Sequence, residues 1–257
     1  PKVMGGITSR CTDLAAELYG ATVNTVVPVS STGSAEMVKL LENTFRATNI
    51  ALANELAIMC DRLNIDVWEV IDAASTKPFG FMPFYPGPGI GGHCIPVDPQ
   101  YLSWKMKQLD YDARFISLAD EVNSSMPSFL LEKSQKALVE KGKTLRSAKI
   151  IVLGVTYKAN IADIRESPAL DVIELLIEEG AEVLYNDPYV QELEVEGRHQ
   201  LQSLDLTPGN LAQIDVAVIV SDHSSYDFEY ISTCVGLIVD SRNATEGLNL
   251  SCEVVKI

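Results

Sequence analysis

Hydrophobic residues recur along this chain with three different rhythms. Pro1 to Ile7 and Val23 to Val29 read as strands on either side of a short helix over Thr8 to Tyr19. From Ala35 to about Leu63 the rhythm becomes helical. Val38, Leu41, Phe45, Leu52, Leu56 and Met59 fall at three- and four-residue steps or their multiples, and no Pro or Gly intervenes, which predicts one long helix. At 1.5 Å per residue it would span about 40 Å. Ser30 to Ser34 offers hydroxyl caps to its start, and Asn64 suits a left-handed closing residue. Asp66 with Glu69 then predicts a capped start for a second helix over Val67 to Ala74. Apolar residues on more than one side of the long helix predict burial or a contact between subunits.

Between Lys77 and Pro99 the periodicity stops. Pro78, Pro83, Pro86, Pro88, Pro96 and Pro99 alternate with Gly80, Gly87, Gly89, Gly91 and Gly92, and no regular element survives that density. Structureless loops longer than about 12 to 15 residues are uncommon in compact domains unless they carry function. Helical patterns resume over Tyr101 to Lys107, Ser117 to Asn123 and Pro127 to Lys141, and Gly142 and Lys143 close them. Lys149 to Val155 then reads as a buried parallel strand, and Ser167 and Pro168 open a helix that ends at Gly180. Glu182 to Asn186, Val216 to Val220 and Leu237 to Val239 repeat the strand theme. The pattern predicts an α/β protein in three parts: a short βαβ piece over 1–29, an all-helical central domain over 30–145, and a small doubly wound domain over 146–257.

Composition narrows the function. With 257 residues, 47% of them hydrophobic, the chain has enough apolar material for a packed core and is not a disordered segment. A net charge of −15 opposes general binding to nucleic acid or to anionic lipid. No run approaches the roughly 20 apolar residues a membrane span requires, so the expectation is a cytoplasmic protein with neither nucleic acid nor membrane as partner. Cys11, Cys60, Cys94, Cys234 and Cys252 are odd in number and widely spaced, which argues against a disulfide framework. His93, His199 and His223 show no metal-ligand spacing, and no metal is expected.

Three segments carry candidate chemistry. In the run from Gly87 to Pro99, glycines let backbone approach a ligand and prolines stiffen the loop around one thiol, Cys94, with Asp98 four residues on. That suits a nucleophile with a carboxylate to orient water, and it is equally compatible with an inert buried thiol and a turn-capping aspartate. Lys39 and Asn43, at i and i+4 on the long helix, share a face and suit a developing oxyanion, although a solvated Lys39 beside Glu36 and Glu42 explains the same spacing. Gly154 to Asn160 leaves the first C-terminal strand where such sheets bind ligands, and Lys158 and Arg165 near a helix start suit phosphate; an ordinary charged surface loop is the alternative.

Taken together, the run from Ser34 to Thr44, the G-G-H-C-I-P-V-D-P loop and the G-V-T-Y-K-A-N-I-A-D-I-R-E-S-P segment at 154–168 resemble the UDP-glucose/GDP-mannose dehydrogenase family. The resemblance implies a central dimerisation domain like the C-terminal domain of 6-phosphogluconate dehydrogenase, followed by a Rossmann-like UDP-binding domain. It implies NAD-dependent oxidation of a UDP-sugar 6-hydroxyl to the carboxylate through a cysteine-linked thiohemiacetal and thioester, in the supply of surface polysaccharides. On that resemblance Cys94 is the nucleophile, Lys39 and Asn43 steady the oxyanion, and Asp98 serves the hydrolytic water. Phe84, Tyr85, Gly89, Gly91, Gly92, Tyr157, Lys158 and Arg242 would contact the UDP-sugar, and Arg165 the NAD cofactor.

Lys77 to Phe81 and Pro83 to Gly89 look most like the UDP-N-acetylglucosamine 6-dehydrogenases, with UDP-glucose as the alternative substrate. The family's N-terminal dinucleotide domain, with an active-site threonine and glutamate, has no counterpart here. Residues 1–29 would then be the end of that domain, and the chain would be inactive by itself. Two rival readings are a non-catalytic module that dimerises and holds a nucleotide-sugar, and a hydroxyacid-type dehydrogenase that needs no thiol. The partners implied are a UDP-sugar and a second copy, in a homodimer or higher oligomer through the long helix.

Overall fold

The computed structural model describes residues 1–195 and 197–257. Strand β1 (Lys2–Met4) pairs in parallel with β2 (Val26–Pro28), and α1 (Ser9–Gly20) crosses between them from an N-cap at Thr8. Helix α2 (Thr32–Leu63) follows, 32 residues long. Its start lies three residues earlier than the periodicity indicates, because the Ser31 hydroxyl caps it by accepting the Ser34 N–H. Asn64 closes it at φ 55°, in the left-handed conformation expected of that residue. The Asp66 carboxylate accepts the N–H groups of Trp68 and Glu69 and so begins α3 (Val67–Ser75).

The loop after α3 stays irregular until α4 (Asp98–Lys107), which begins on Asp98 itself. The two helices expected over Ser117–Asn123 and Pro127–Lys141 are one continuous helix, α5 (Arg114–Glu140), with Pro127 inside it. A proline at that position removes the bond to the Asn123 carbonyl. Packing overrides the local cost: Asn123, Met126, Pro127 and Leu130 are all buried, and α5 lies along α2 on one side and α6 on the other. The inner face of α2 is lined by Ala47, Ala51, Ala57 and Cys60, small residues that let the two long helices approach closely.

The C-terminal part is a five-stranded, all-parallel sheet in the order β4-β3-β7-β8-β9, formed by β3 (Lys149–Leu153), β4 (Glu182–Asn186), β7 (Val216–Ile219), β8 (Leu237–Asp240) and β9 (Glu253–Lys256). Between β4 and β7 the chain inserts an antiparallel hairpin, β5 (Glu192–Val195) with β6 (His199–Gln202), and the short α7 (Pro208–Leu211). Helix α6 (Pro168–Glu178) covers one face and α8 (Phe228–Cys234) the other. The strands alternate accordingly. Ile150, Val152, Val218 and Val239 face α6 and α5, whereas Ile151, Leu153, Ala217 and Ile238 face α8. Complete burial of an Ile, Leu or Val side chain contributes about 1.5–3 kcal/mol.

The α6-side core does not stop at the helical region. It runs without interruption from Ala57, Trp68 and Ile71 through Met126 and Leu130 to Val152 and Val172, so the helices and the sheet are one packed unit. The Trp68 indole N–H donates to the Ile257 carbonyl, which fastens the last strand to α3. Among the described residues no helix is long and apolar enough to cross a membrane.

Candidate active site

Helix α2 presents Lys39 and Asn43 one turn apart, and the ammonium of Lys39 lies 3.4 Å from Asn43 Oδ1. Asn43 is fully buried and donates from Nδ2 to the Asp98 carboxylate at 2.5 Å. Asp98 in turn donates its backbone N–H to the Cys94 carbonyl at 2.9 Å. A cation, an amide and a carboxylate are thus wired in series to the turn that holds the thiol. All four catalytic candidates read from the sequence meet here, across 55 residues of chain between Asn43 and Asp98. Cys94 is half-buried, and its Sγ lies 3.0 Å from Nδ1 of His93, a neighbour that pattern reading passed over.

The thiol loop rests on the turn that leaves β3. The Gly92 N–H donates to the Arg165 carbonyl, and Gly92 sits at φ +88°, where a Cβ would lie 2.9 Å from Tyr157 Cε2. Gly91 is tighter still. A Cβ there would lie 2.5 Å from Tyr157 Cβ and 2.6 Å from the Glu166 carbonyl oxygen, so only glycine lets the loop seat. Gly89 packs on Pro168 near the Asn123 carbonyl that Pro127 leaves free of a helical bond. Arg242, at the end of β8, donates Nε to the Val220 carbonyl and lays its guanidinium against Gly87. Burial works against its charge, and Asp222 and Asp240 support it. Phe84 and Tyr85 turn towards the helices instead: Phe84 packs edge-on against Phe45, while Tyr85 stacks on Trp68 and donates to Asp72.

The turn under the loop is fixed by a buried polar network at the point between β3 and β7 where the strand order reverses, the usual ligand crevice of such sheets. The Asn160 N–H donates to His223 Nδ1 at 2.9 Å, which leaves His223 Nε2 to carry the proton and donate to Asp187 at 2.9 Å. Asp187 also accepts from the N–H groups of Val155 and Tyr189. Burial pushes its carboxyl up, but these bonds outweigh burial and hold it below the ordinary carboxylate range. The turn from Thr156 to Asn160, carrying Tyr157 and exposed Lys158, is therefore held by buried partners.

Arg165 pairs side-on with Asp163, and those hydrogen bonds keep the Asp163 carboxyl down at about 2. The Arg165 side chain stays 61% exposed beside the thiol loop, a placement that fits one phosphate of a dinucleotide. The strand-end carboxylate is not free to form a second part of such a site. Asp187, at the strand end where dinucleotide sheets present a ribose-binding carboxylate, is buried with both oxygens engaged. The fit to NAD on the described residues is thus a single charge contact at Arg165.

Comparison with known proteins covers both halves of this arrangement. Residues 33–125 match the central domain of the UDP-glucose/GDP-mannose dehydrogenase family, and residues 151–247 match its UDP binding domain. A UDP-N-acetyl-D-mannosamine dehydrogenase of Methanocaldococcus jannaschii is 38% identical over 250 residues, covering 94% of this chain and 55% of that protein. An NDP-N-acetyl-D-galactosaminuronic acid dehydrogenase of Ralstonia nicotianae is 35% identical over 228 residues, covering 88% of this chain and 51% of its own length. A solved UDP-D-ManNAc dehydrogenase from Pyrococcus horikoshii superposes with a TM-score of 0.86 at 33% identity, covering 99% of this chain and 59% of that one. The chain spans about half the length of the curated relatives it matches. With the first family match containing Lys39, Asn43, Cys94 and Asp98, and the second containing Tyr157, Lys158, Arg165 and Arg242, the chain belongs to the UDP-glucose/GDP-mannose dehydrogenase family.

Proposed function

We propose that the protein serves the NAD-dependent oxidation of a UDP-N-acetylhexosamine at its 6-hydroxyl to the uronic acid, in the cytoplasm, with Cys94 holding the sugar covalently between two oxidations. The observation that carries this reading is the series Lys39, Asn43, Asp98 and the Cys94 turn, seated on the matched UDP-binding half. When bound, NAD supplies the hydride acceptor. The covalent and oxyanion roles fall to side chains of this chain. Cys94 adds to the aldehyde carbon, and Lys39 with Asn43 neutralises the charge that develops on oxygen, where fixed donors act more strongly than mobile water. Asp98, already accepting from Asn43, orients the water that releases the acid. Tyr157, Lys158 and Arg242 hold the nucleotide-sugar, and Arg165 meets a cofactor phosphate.

The sugar proposed is the manno epimer. The sequence alone suggests N-acetylglucosamine, but the names carried by the Methanocaldococcus and Pyrococcus relatives are those of mannosamine enzymes. Calorimetric titration under reducing conditions tests this. UDP-N-acetylmannosamine is expected to bind about 5- to 10-fold more tightly than its gluco and galacto epimers or UDP-glucose, the difference of about one hydrogen bond. Failure of every UDP compound to bind overturns the proposal, and tighter binding of another epimer reassigns the substrate.

The working unit proposed is a homodimer through α2. Met37, Leu41, Phe45, Leu52, Met59 and Leu63 form an apolar stripe along the helix, each between 46% and 66% exposed. Single exposed apolar residues are ordinary, whereas a stripe six residues long is not. Replacing Leu41 and Leu52 together by glutamate is expected to give a folded monomer in sedimentation velocity. A wild-type chain that already sediments as a monomer at micromolar concentration contradicts the dimer.

A further inference from the structure

The closest polar contact of the thiol is one that the chemistry above does not use. Nδ1 of His93 lies 3.0 Å from Sγ of Cys94, a hydrogen-bonding separation in which the thiol proton is shared with a ring nitrogen. The ring is exposed, while the thiol is half-buried in the turn. The Asp98 carboxylate is bonded to Asn43, and Asp98 reaches the Cys94 residue through its backbone N–H.

The charges around the pair come from the turn beneath the loop. Asp163 is held ionised chiefly by its hydrogen bonds with Arg165, and the charge of His93 adds to that effect. Arg165 is held cationic chiefly by Asp163, and the charges of Tyr157 and Cys94 add to it. The pair therefore sits on the loop whose Gly92 N–H is held by the Arg165 carbonyl, beside the Asp163–Arg165 ion pair. From α2 and α4, Lys39 and Asp98 both bond to Asn43.

We propose that His93 is a catalytic residue, the base that takes the proton of Cys94. The assignment rests on Cys94 being the covalent residue of the proposed reaction. The S–H bond breaks and the proton passes to Nδ1. The sulfur pair forms the C–S bond to the aldehyde carbon of the sugar, and the carbonyl π pair moves onto oxygen, towards Lys39 and Asn43. When water later displaces the sulfur from the thioester, giving up its own protons past Asp98 to solvent as the carboxylate forms, the leaving thiolate takes the proton back from the imidazolium. No further reactant is needed for either transfer. The contact joins neighbouring residues in a Gly-rich loop, so it requires no other element of the fold to form.

The test is the rate at which iodoacetamide alkylates Cys94, followed by peptide mass spectrometry in the wild type and in His93→Gln and His93→Ala. At pH 6.5 both substitutions are expected to slow alkylation of Cys94 about tenfold or more. At pH 9.5, where an ordinary thiol ionises unaided, the rate should change less than about twofold. Cys11, Cys234 and Cys252 report any general loosening by changing in every condition. In turnover of the UDP-sugar by the protein supplied with a dinucleotide-binding domain, kcat is expected to fall about 10²-fold with KM unchanged, and added imidazole to restore part of it in His93→Ala. Equal alkylation of wild type and variants at pH 6.5 overturns the proposal, as does full kcat in His93→Gln. If alkylation behaves as expected but the protein supplied with a dinucleotide-binding domain turns over no UDP-sugar, the base assignment to the thiol stands and the substrate reading fails instead.

Discussion

Replacing Cys94 by alanine is expected to lower the rate of uronate formation by about 10³-fold or more, while UDP-sugar affinity stays within about threefold of the wild type. Oxidation of the alcohol to the aldehyde needs no sulfur. Oxidation of the aldehyde requires a tetrahedral carbon bearing both a hydroxyl and a hydrogen, which in the proposed mechanism the thiol creates by addition and holds in place. Without Cys94 the aldehyde depends on hydration by a free water that no covalent bond orients. NADH formed per sugar consumed should therefore fall from two towards one, with aldehyde trapped by added hydroxylamine and identified by mass. Serine at the same position gives a weaker nucleophile and should resemble alanine. Two NADH per sugar at the wild-type rate in Cys94→Ala would remove the covalent step from the mechanism.

The second large effect is expected from one methyl group. Gly91→Ala places a Cβ 2.5 Å from Tyr157 Cβ and 2.6 Å from a backbone oxygen of Glu166, neither of which is the free end of a flexible side chain. The loop must lift from the turn, and the thiol beyond it moves with respect to Lys39 and Asn43. Displacement of a reacting group by about 1 Å costs on the order of 10²-fold in rate, so kcat/KM is expected to fall at least that far. Overpacking of this kind destabilises by about 1–3 kcal/mol, which urea unfolding measures. Gly209→Ala, where the added methyl meets nothing within 4 Å, serves as the unaffected control. Wild-type turnover in Gly91→Ala would show that the seam between loop and turn is slack.

Local signals accounted for much of the fold. Ser31, Asn64 and Asp66 mark their helix ends by hydrogen bonds within four residues, so short-range chemistry is enough to read them. The buried strands β3, β7 and β8 announce themselves by unbroken apolar runs. Pro127 misled, because a rule about local hydrogen bonding cannot register the burial that keeps α5 continuous through it. The β5–β6 hairpin lies in an acid-rich stretch where, among the described residues, Leu193 and Val195 are buried and Leu201 packs beside them, too few positions to establish a period.

In the site, grouping Lys39, Asn43, Cys94 and Asp98 depended on resemblance, since nothing in their spacing says that α2 will meet the loop. The contact of His93 with Cys94 depends on how one turn directs two adjacent side chains, and no periodicity encodes that. Asp187 and His223 follow the ends of β4 and β7, two strands far apart in sequence, and only the sheet order brings them together.

Helix α2 carries its two kinds of residue on opposite sides. At 3.6 residues per turn, Lys39, Asn43, Ala47 and Asn54 lie on one face, and Leu41, Phe45, Leu52 and Met59 lie on the other. The rod has no proline or glycine between Thr32's first turn and Leu63, and hence no joint at which motion on one face could be absorbed before it reaches the other. Whatever settles against the apolar side sets the tilt and roll of the rod, and with them the aim of the Lys39 ammonium. Association and chemistry are in that sense two readings of the orientation of a single rigid body.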